Sequence, residues 1–217
     1  MLDTAAQRAN MVAAQLRPND VTDARIRDAM LSIPRERFVP AGFAPVAYME
    51  GCIPLGRSRV LLDPRCLAKL LQLAAVGPND RVLDVACGTG YSTAILSLLG
   101  REVVALEEDS ELAARAKDNL QSLGLANARV VCGSLVQGLP QDGPFDVIFV
   151  NGAVSDEPKQ LLAQLRDGGR LATIARNGAA GHAILYLNHE GALGERRAFD
   201  ASVPVLPGFQ KPPSFVF

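Results

Sequence analysis

Two acidic residues flank a glycine-containing loop in the middle of the chain, and their spacing is typical of a nucleotide-binding site. The segment 82–96 reads VLDVACGTGYSTAIL, with Asp84 inside an apolar run and Gly88 and Gly90 in the loop that follows. Glycine lets the backbone adopt angles closed to other residues and pass close to a ligand. Glu107 ends the next apolar run, EVVALE. A carboxylate about 20 residues after such a loop can accept hydrogen bonds from the hydroxyls of a ribose.

The loop departs from the pattern that binds a dinucleotide. A pyrophosphate is held against a helix N-terminus by G-x-G-x-x-G, but the third glycine position, counted from Gly88, is Thr93. A β-branched threonine is a poor substitute where helix and strand pack closely. Asp84 would also repel a pyrophosphate and suits a cation. The pattern therefore favours an adenosyl ligand that carries positive charge over NAD, while a tight turn and a solvated Glu107 remain the simpler alternative.

The elements that position these residues alternate between strand and helix patterns from about residue 78 onward. Helical patterns separate the apolar runs RVLDVAC, EVVALE, ARVVC, FDVIFVN and GRLATIA. Such alternation predicts a mostly parallel sheet with helices on both faces, and ligands bind at the carboxyl ends of its strands. The last runs, HAILYLN and GERRAFDASVPVL, predict an antiparallel hairpin that closes one sheet edge. We predict an α/β fold with a doubly wound, Rossmann-like sheet of seven strands.

Residues 1–77 have a different pattern and are predicted to form a helical and loop extension on a core of residues 78–217. AAQRANMVAAQL and VTDARIRDAMLSI are amphipathic, the second with Thr22 or Asp23 as its cap. PRCLAKLLQLAAVG has leucines at helical spacing, and we expect that helix to end at Gly77. The segment between them is rich in Pro and Gly, which predicts a loop with short extended pieces.

Composition excludes several classes of partner. The chain has 22 basic and 23 acidic residues and a net charge of −1, which gives no electrostatic case for nucleic acid or a membrane surface. Tryptophan is absent and aromatic residues make up 5%, which disfavours a stacking platform for bases. No apolar run approaches the roughly 18 residues that a membrane span needs.

The cysteines do not form a metal-binding pattern. Cys52, Cys66, Cys87 and Cys132 are scattered without a CxxC motif, and only two histidines occur. We therefore predict no metal site. Cys87 and Cys132 are expected to be small buried residues at strand ends rather than redox groups. The expected compartment is the reducing cytoplasm.

Seven segments, in the same order, resemble the protein-L-isoaspartate O-methyltransferase family of class I S-adenosylmethionine-dependent methyltransferases. They are MVAAQL, VTDARIRDAMLSIPRERFVP, AYMEGCIPLG, VLDVACGTGYSTAIL, VVCGSLVQGLP, PFDVIFVNGAV and LLAQLRDGGRLA, and the resemblance covers Met11 to Leu206. It implies the methyltransferase fold and S-adenosylmethionine as methyl donor, with S-adenosylhomocysteine as product. It also implies methylation of the free α-carboxylate of an isoaspartyl residue in a damaged protein. We expect a monomer.

The resemblance assigns a set of cofactor contacts along the strand ends. Ala86 stands for the first glycine of the loop, and Ser134 stands where the family has an aspartate that accepts from the adenine amino group. Serine can accept that hydrogen bond, but without charge assistance. The expected contacts are Asp84, Ala86, Gly88, Gly90, Tyr91, Ser92, Glu107, Glu108, Ser134 and Leu135.

The expected acceptor loop departs from the family. The family reads G-x-G-Q-T-I-S-x-P where this chain reads GRSRVLLDP over residues 56–64. Val60 and Leu62 replace the threonine and serine, and Arg59 replaces the glutamine. Ser58 stands at a glycine position, and Asp63 precedes the proline. Ser58, Arg59, Val60, Leu62 and Asp63 are therefore the candidate acceptor-pocket residues.

Two interpretations of this loop remain open. In one, Arg59 anchors an anionic substrate and Leu62 reshapes the pocket for another carboxylate. In the other, Arg59 and Asp63 form an exposed ion pair and the original chemistry is lost. An ionised carboxylate attacks without a general base, so no catalytic residue is assigned. The alternative to a methyltransferase is a non-catalytic module that binds S-adenosylmethionine for regulation.

Overall fold

A seven-stranded sheet forms the centre of the protein. The structure is a computed structural model that describes residues 3–210. Two short strands, β1 (Ile53–Gly56) and β2 (Arg59–Leu61), form a separate antiparallel hairpin. The strands of the main sheet are β3 (Arg81–Val85), β4 (Glu102–Glu107), β5 (Ala128–Cys132), β6 (Phe145–Val154), β7 (Leu165–Asn177), β8 (Ala180–His189) and β9 (Ala192–Asp200).

The order of the strands in the sheet is β5-β4-β3-β6-β7-β8-β9. The first five strands in this order, from β5 through β3 to β7, pair in parallel. The pairs β7–β8 and β8–β9 are antiparallel. Every residue of β6 is buried, which explains its continuous apolar run. The predicted α/β sheet of seven strands, closed by an antiparallel hairpin, is confirmed.

The helices lie where the apolar periodicity predicts them, with one boundary that differs. They are α1 (Thr4–Met11), α2 (Ala24–Ser32), α3 (Pro64–Ala74), α4 (Tyr91–Leu99), α5 (Ser110–Ser122) and α6 (Lys159–Leu162). Asp23 caps α2 by accepting from the Arg25 amide. The predicted end of α3 at Gly77 is wrong, because Ala75 adopts a left-handed conformation and its amide donates to the Leu71 and Gln72 carbonyls.

The N-terminal extension packs on the sheet through a shared apolar cluster. Beyond α1 to α3 it contains a π-helical turn, Val12–Leu16, and 3₁₀ turns at Arg17–Asn19, Arg35–Phe38 and Ala41–Val46. Buried Arg35 is central to it: Nε donates to the Ala47 carbonyl and Nη2 to the Leu62 carbonyl, each at 2.7 Å. Its guanidinium also lies 5.0 Å from the centre of the Tyr91 ring. The extension is thereby tied to the start of α4.

The segment after β9 returns to the carboxyl end of β6. The Leu206 amide donates to the Ala153 carbonyl at 2.8 Å, and the Ser155 amide donates to the Phe209 carbonyl at 3.0 Å. A β carbon at Gly152 would lie only 2.6 Å from the Leu206 side chain, so this close approach requires glycine. Residues 203–209 therefore form a wall beside Asn151.

The cysteine expectation holds at one position and fails at another. Cys87 is buried, but Cys132 is exposed, because β5 is the edge strand and two of its five residues are exposed. All four cysteines are unpaired. No helix within residues 3–210 combines the length and apolar character needed to cross a membrane.

The turn of the β1–β2 hairpin is built from two residues other than glycine in left-handed conformations. Arg57 has φ of 51° and Ser58 has φ of 60°. Two-residue hairpin turns of this kind favour glycine and asparagine, because a β carbon crowds the following carbonyl oxygen. The turn is therefore strained relative to the family pattern, which has glycine at position 58.

Substituting Ser58→Gly is expected to stabilise the fold. Relief of the left-handed strain exceeds the greater chain entropy of glycine in the unfolded state, leaving about 0.5–1 kcal/mol. In a chain of this size, that raises the Tm by roughly 1–4 °C. Thermal melts of Ser58→Gly and Ser58→Ala separate the backbone effect from loss of the hydroxyl. Equal Tm values for the two variants contradict the explanation.

Candidate active site

Asp84 lies at the end of β3, beneath the start of α4, and is completely buried. Its Oδ2 accepts hydrogen bonds of 2.7 Å from the hydroxyls of Ser92 and Thr93, and Asn151 donates to the Ser92 oxygen. Burial raises the pKa of Asp84 to about 7, although the Thr93 and Ser92 bonds oppose that shift. Asp84 Oδ1 has no hydrogen-bond partner among residues 3–210. Two residues that the sequence did not single out as ligands therefore help to hold this carboxyl group in position, Thr93 directly and Asn151 through Ser92.

The two loop glycines make different close contacts. A β carbon at Gly90 would lie 3.2 Å from the Ala116 β carbon, so Gly90 lets the loop pack on α5. A β carbon at Gly88 would lie 2.9 Å from Leu55 Cδ1, on the β1–β2 hairpin. Ala86, at the position of the first glycine, adopts φ of 66°. The hairpin thus lies directly over the loop at Gly88.

Glu107 ends β4 and accepts four hydrogen bonds. Its Oε1 accepts from the amides of Glu108 at 3.0 Å and Asp109 at 3.2 Å. Its Oε2 accepts from the Gly88 amide and from Arg59 Nη2, both at 2.7 Å. The side chain is only 1% exposed. A carboxylate offers about four acceptor positions, so the acceptor capacity of Glu107 is filled.

Arg59 forms a buried ion pair that neither interpretation of the loop included. Its side chain is 5% exposed and pairs with Glu107, so the proposed exposed pair with Asp63 is wrong. Asp63 instead caps α3, accepting from the Cys66 amide at 3.0 Å, and its other oxygen accepts from the Gly51 amide at 2.6 Å. Because α3 starts at Pro64, Asp63 stands at the position where a helix needs a cap. As placed, Arg59 binds an anion of the protein itself.

The other candidate residues lie in different surroundings from the buried Glu107 and Arg59. The Tyr91 ring is buried beside Phe38, with ring centres 5.3 Å apart, and its side chain faces the extension. Leu135 and Leu62 are buried in apolar clusters. The remaining candidates are more accessible: Glu108 and Ser58 are exposed, and Ser134 and Val60 are half-buried.

The structure therefore brings together one acid from each of two adjacent strands, the glycine loop and Arg59. Sequence reasoning anticipated Asp84, Gly88 and Glu107 but did not connect them to Arg59 or Leu55. A signal was present, since a cation replaces a neutral glutamine in a loop that precedes two acidic strand ends. No spacing rule, however, relates residues 48 positions apart.

The donor and acceptor types fit the adenosyl ligand that the sequence predicts. Asp84 Oδ1 is an unpartnered acceptor for a cation, and Glu107 is an acceptor for ribose hydroxyls. The β1–β2 hairpin occupies the space beside the loop and Glu107, with Leu55 against Gly88 and Arg59 against Glu107. A cavity of about 710 Å³ lies elsewhere, against Cys52, Cys66 and Phe199 among others.

Comparison with known proteins identifies close relatives. The sequence model of protein-L-isoaspartate(D-aspartate) O-methyltransferase matches residues 7–183. A protein-L-isoaspartate O-methyltransferase of Koribacter versatilis is 41% identical over 77% of this chain and 75% of its own length. One from Methylorubrum populi is 39% identical over 87% of this chain and 88% of its own length. The chain spans only 56% of a Burkholderia ambifaria relative, with 40% identity.

Solved structures of the same family have a similar fold. A structure named protein-L-isoaspartate O-methyltransferase has a TM-score of 0.79 and 26% identity, over 93% of this chain and 66% of the other. A Plasmodium falciparum protein assigned to the same family, in complex with S-adenosyl-L-homocysteine, has a TM-score of 0.80 over 95% of this chain and 99% of its own. Its identity is 19%, so it supports the fold alone.

Asp84→Asn is expected to change how stability depends on pH. The folded-state pKa of Asp84, about 7, lies above the ordinary aspartate value of 3.8, so the folded chain binds the extra proton between those values. This carboxyl therefore favours the folded state more at pH 6 than at pH 8, by about 1 kcal/mol. Chemical denaturation of the wild type and of Asp84→Asn at both pH values measures this contribution. Parallel pH profiles for the two proteins contradict a raised pKa.

Proposed function

Because the chain belongs to the protein-L-isoaspartate O-methyltransferase family, we propose that it transfers the methyl group of S-adenosylmethionine to a carboxylate oxygen. The observation that carries the proposal is the placement of Asp84, the Gly88 loop and Glu107 at the carboxyl ends of the adjacent parallel strands β3 and β4. Ligands of doubly wound sheets bind at this edge. S-adenosylhomocysteine is the product.

The chain's own residues divide the work of holding the cofactor. When bound, S-adenosylmethionine supplies a methyl group on a positively charged sulfur. We assign Glu107 to the ribose hydroxyls and Asp84 to a balancing negative charge beneath the loop. Loop positions Ala86, Gly88 and Gly90 supply backbone contacts. Further assigned contacts are Tyr91, Ser92, Glu108, Ser134 and Leu135.

Residues 1–77 would supply the acceptor side, and residues 78–217 the cofactor core. The isoaspartyl α-carboxylate is ionised at neutral pH, so the protein must align it and exclude water rather than remove a proton. In the family, hydroxyl groups stand at positions 60 and 62. Here Val60 is half-buried and Leu62 is buried in the core, and neither donates a hydrogen bond from its side chain. Desolvating an ionised carboxylate there without a compensating donor costs on the order of several kcal/mol.

The partner that this chemistry fits is an isoaspartyl-containing protein or peptide, or another carboxylate acceptor. A net charge of −1 offers no surface suited to nucleic acid. Four unpaired cysteines are consistent with a reducing cytoplasm, and we propose a monomer there. Retention of the loop and of Glu107 favours an enzyme over a non-catalytic binding module.

The test is transfer of labelled methyl to an isoaspartyl peptide, with the normal aspartyl peptide and a panel of free carboxylates as controls. We expect isoaspartyl turnover at saturating S-adenosylmethionine to be about 100-fold below that of the Koribacter versatilis relative, because misplacement by about 1 Å costs that much. Absence of transfer to every acceptor, together with no binding of S-adenosylhomocysteine, contradicts the proposed function. Turnover equal to the relative's shows that the hydroxyls at positions 60 and 62 are dispensable.

Restoring both hydroxyls with Val60→Thr and Leu62→Ser is expected to raise kcat for the isoaspartyl peptide by about tenfold, since each adds a donor for the carboxylate. The matched control is Leu62→Ala with Val60 unchanged, because valine already has the shape of threonine and alanine opens about the same space as serine without a hydroxyl. Should loss of buried Leu62 unfold both variants, Val60→Thr against the wild type retains the comparison. An equal kcat in the hydroxyl variants and their controls removes these positions from the acceptor site.

A further inference from the structure

Of the four hydrogen-bond donors to the Glu107 carboxylate, one can be exchanged for a ligand. Three of its four donors are backbone amides of Gly88, Glu108 and Asp109, which are fixed by the loop and by the start of α5. The fourth is the Arg59 guanidinium at 2.7 Å. A ribose hydroxyl can replace this side-chain donor while the loop stays folded. Replacing any backbone donor requires the loop to unfold.

The segment that carries Arg59 is built as a separate flap. The β1–β2 hairpin pairs with no strand of the main sheet. Its base is held by the Asp63 bond to the Gly51 amide and by the Arg35 bond to the Leu62 carbonyl. Its tip is held by ion pairs. Its inward side chains Ile53, Leu55 and Leu61 are buried in the apolar cluster shared with the extension, so a swing of the hairpin must also separate these contacts.

The contacts at the tip differ in burial. Arg57 is 64% exposed and lies 3.0 Å from Asp109 and 3.2 Å from Glu111. Exposed pairs of this kind contribute little. The Arg59–Glu107 pair is almost fully buried, so it is the stronger restraint. Leu55 adds apolar cover at Gly88.

The charge of Arg59 also substitutes for that of the ligand. Its guanidinium pairs with Glu107 and acts electrostatically on Asp84, so one cation of the protein serves both acids of the site. A sulfonium ligand would bring its own positive charge to the same region. Arg59 and the ligand therefore compete in charge as well as in hydrogen bonding.

We propose that Arg59 is an intramolecular competitor of the cofactor, and that the β1–β2 hairpin must swing away from Glu107 before an adenosyl ligand can bind. This inference rests on the proposed function, because it assumes that Glu107 receives the ribose. An open form populated at roughly 0.1–10% lowers the apparent affinity about 10- to 1,000-fold. Affinity for the cofactor is therefore set by the hairpin as well as by the site.

The test is isothermal titration of S-adenosylhomocysteine into the wild type, Arg59→Gln and Arg57→Gln. Arg59→Gln introduces the residue that the family has and leaves Glu107 with its three backbone donors. We expect its Kd to fall about tenfold or more, while the Kd of Arg57→Gln, in the same hairpin, stays within about threefold of the wild type. Circular dichroism and thermal melts verify that each variant is folded.

A second variant keeps the test decisive if Arg59→Gln does not fold. Leu55→Ala loosens the cover at Gly88 while leaving the ion pair in place, and it is expected to lower the Kd roughly threefold. Equal affinity in the wild type, Arg59→Gln and Leu55→Ala overturns the competition but leaves the proposed function intact. Weaker binding by Arg59→Gln overturns it as well, because Arg59 then contacts the ligand. Absence of binding by every folded variant overturns both proposals.

Discussion

The limited acceptor capacity of one buried carboxylate organises this protein. Glu107 joins three parts of the chain that are distant in sequence: the end of β4, the glycine loop after β3, and the hairpin of the N-terminal extension. A buried carboxylate is tolerated only when its charge and lone pairs are satisfied. Backbone amides satisfy most of them, and a single arginine completes the set. Any ligand for this carboxylate therefore competes with the protein's own structure.

The second acid is held by different means. Within the part of the chain that the structure describes, no cation is bonded to Asp84, and its burial is only partly offset by the hydroxyls of Ser92 and Thr93 on the first turn of α4. Those hydroxyls explain why a threonine occupies the position where a dinucleotide fold has glycine. The two acids therefore make different contributions: Glu107 is charge-paired and shared with the extension, whereas Asp84 belongs to the core.

Much of this arrangement follows from local sequence patterns. The sheet, the helices, the cap at Asp23 and the acids at the strand ends obey periodicity and spacing rules that act over a few residues. Three features do not: the end of α3, the exposure of Cys132 and the partner of Arg59. The first depends on an alanine in a left-handed cap, and the second on which strand lies at the sheet edge. The third joins residues that only the fold brings together, so the sequence could identify Arg59 as unusual but not name its partner.

The return of residues 203–209 to β6 has a consequence for the order in which the site is completed during synthesis. Leu206 packs against Gly152, next to Asn151, which is linked through Ser92 to Asp84. Chains grow at about 5–20 residues per second, so roughly 5–20 s separate synthesis of Glu107 from synthesis of this wall. Strands β6 to β9, which complete the sheet and the apolar cluster under the hairpin, are made within the same interval. Because a domain generally folds as a unit, both sides of the site form together, only after the last of the described chain has been made.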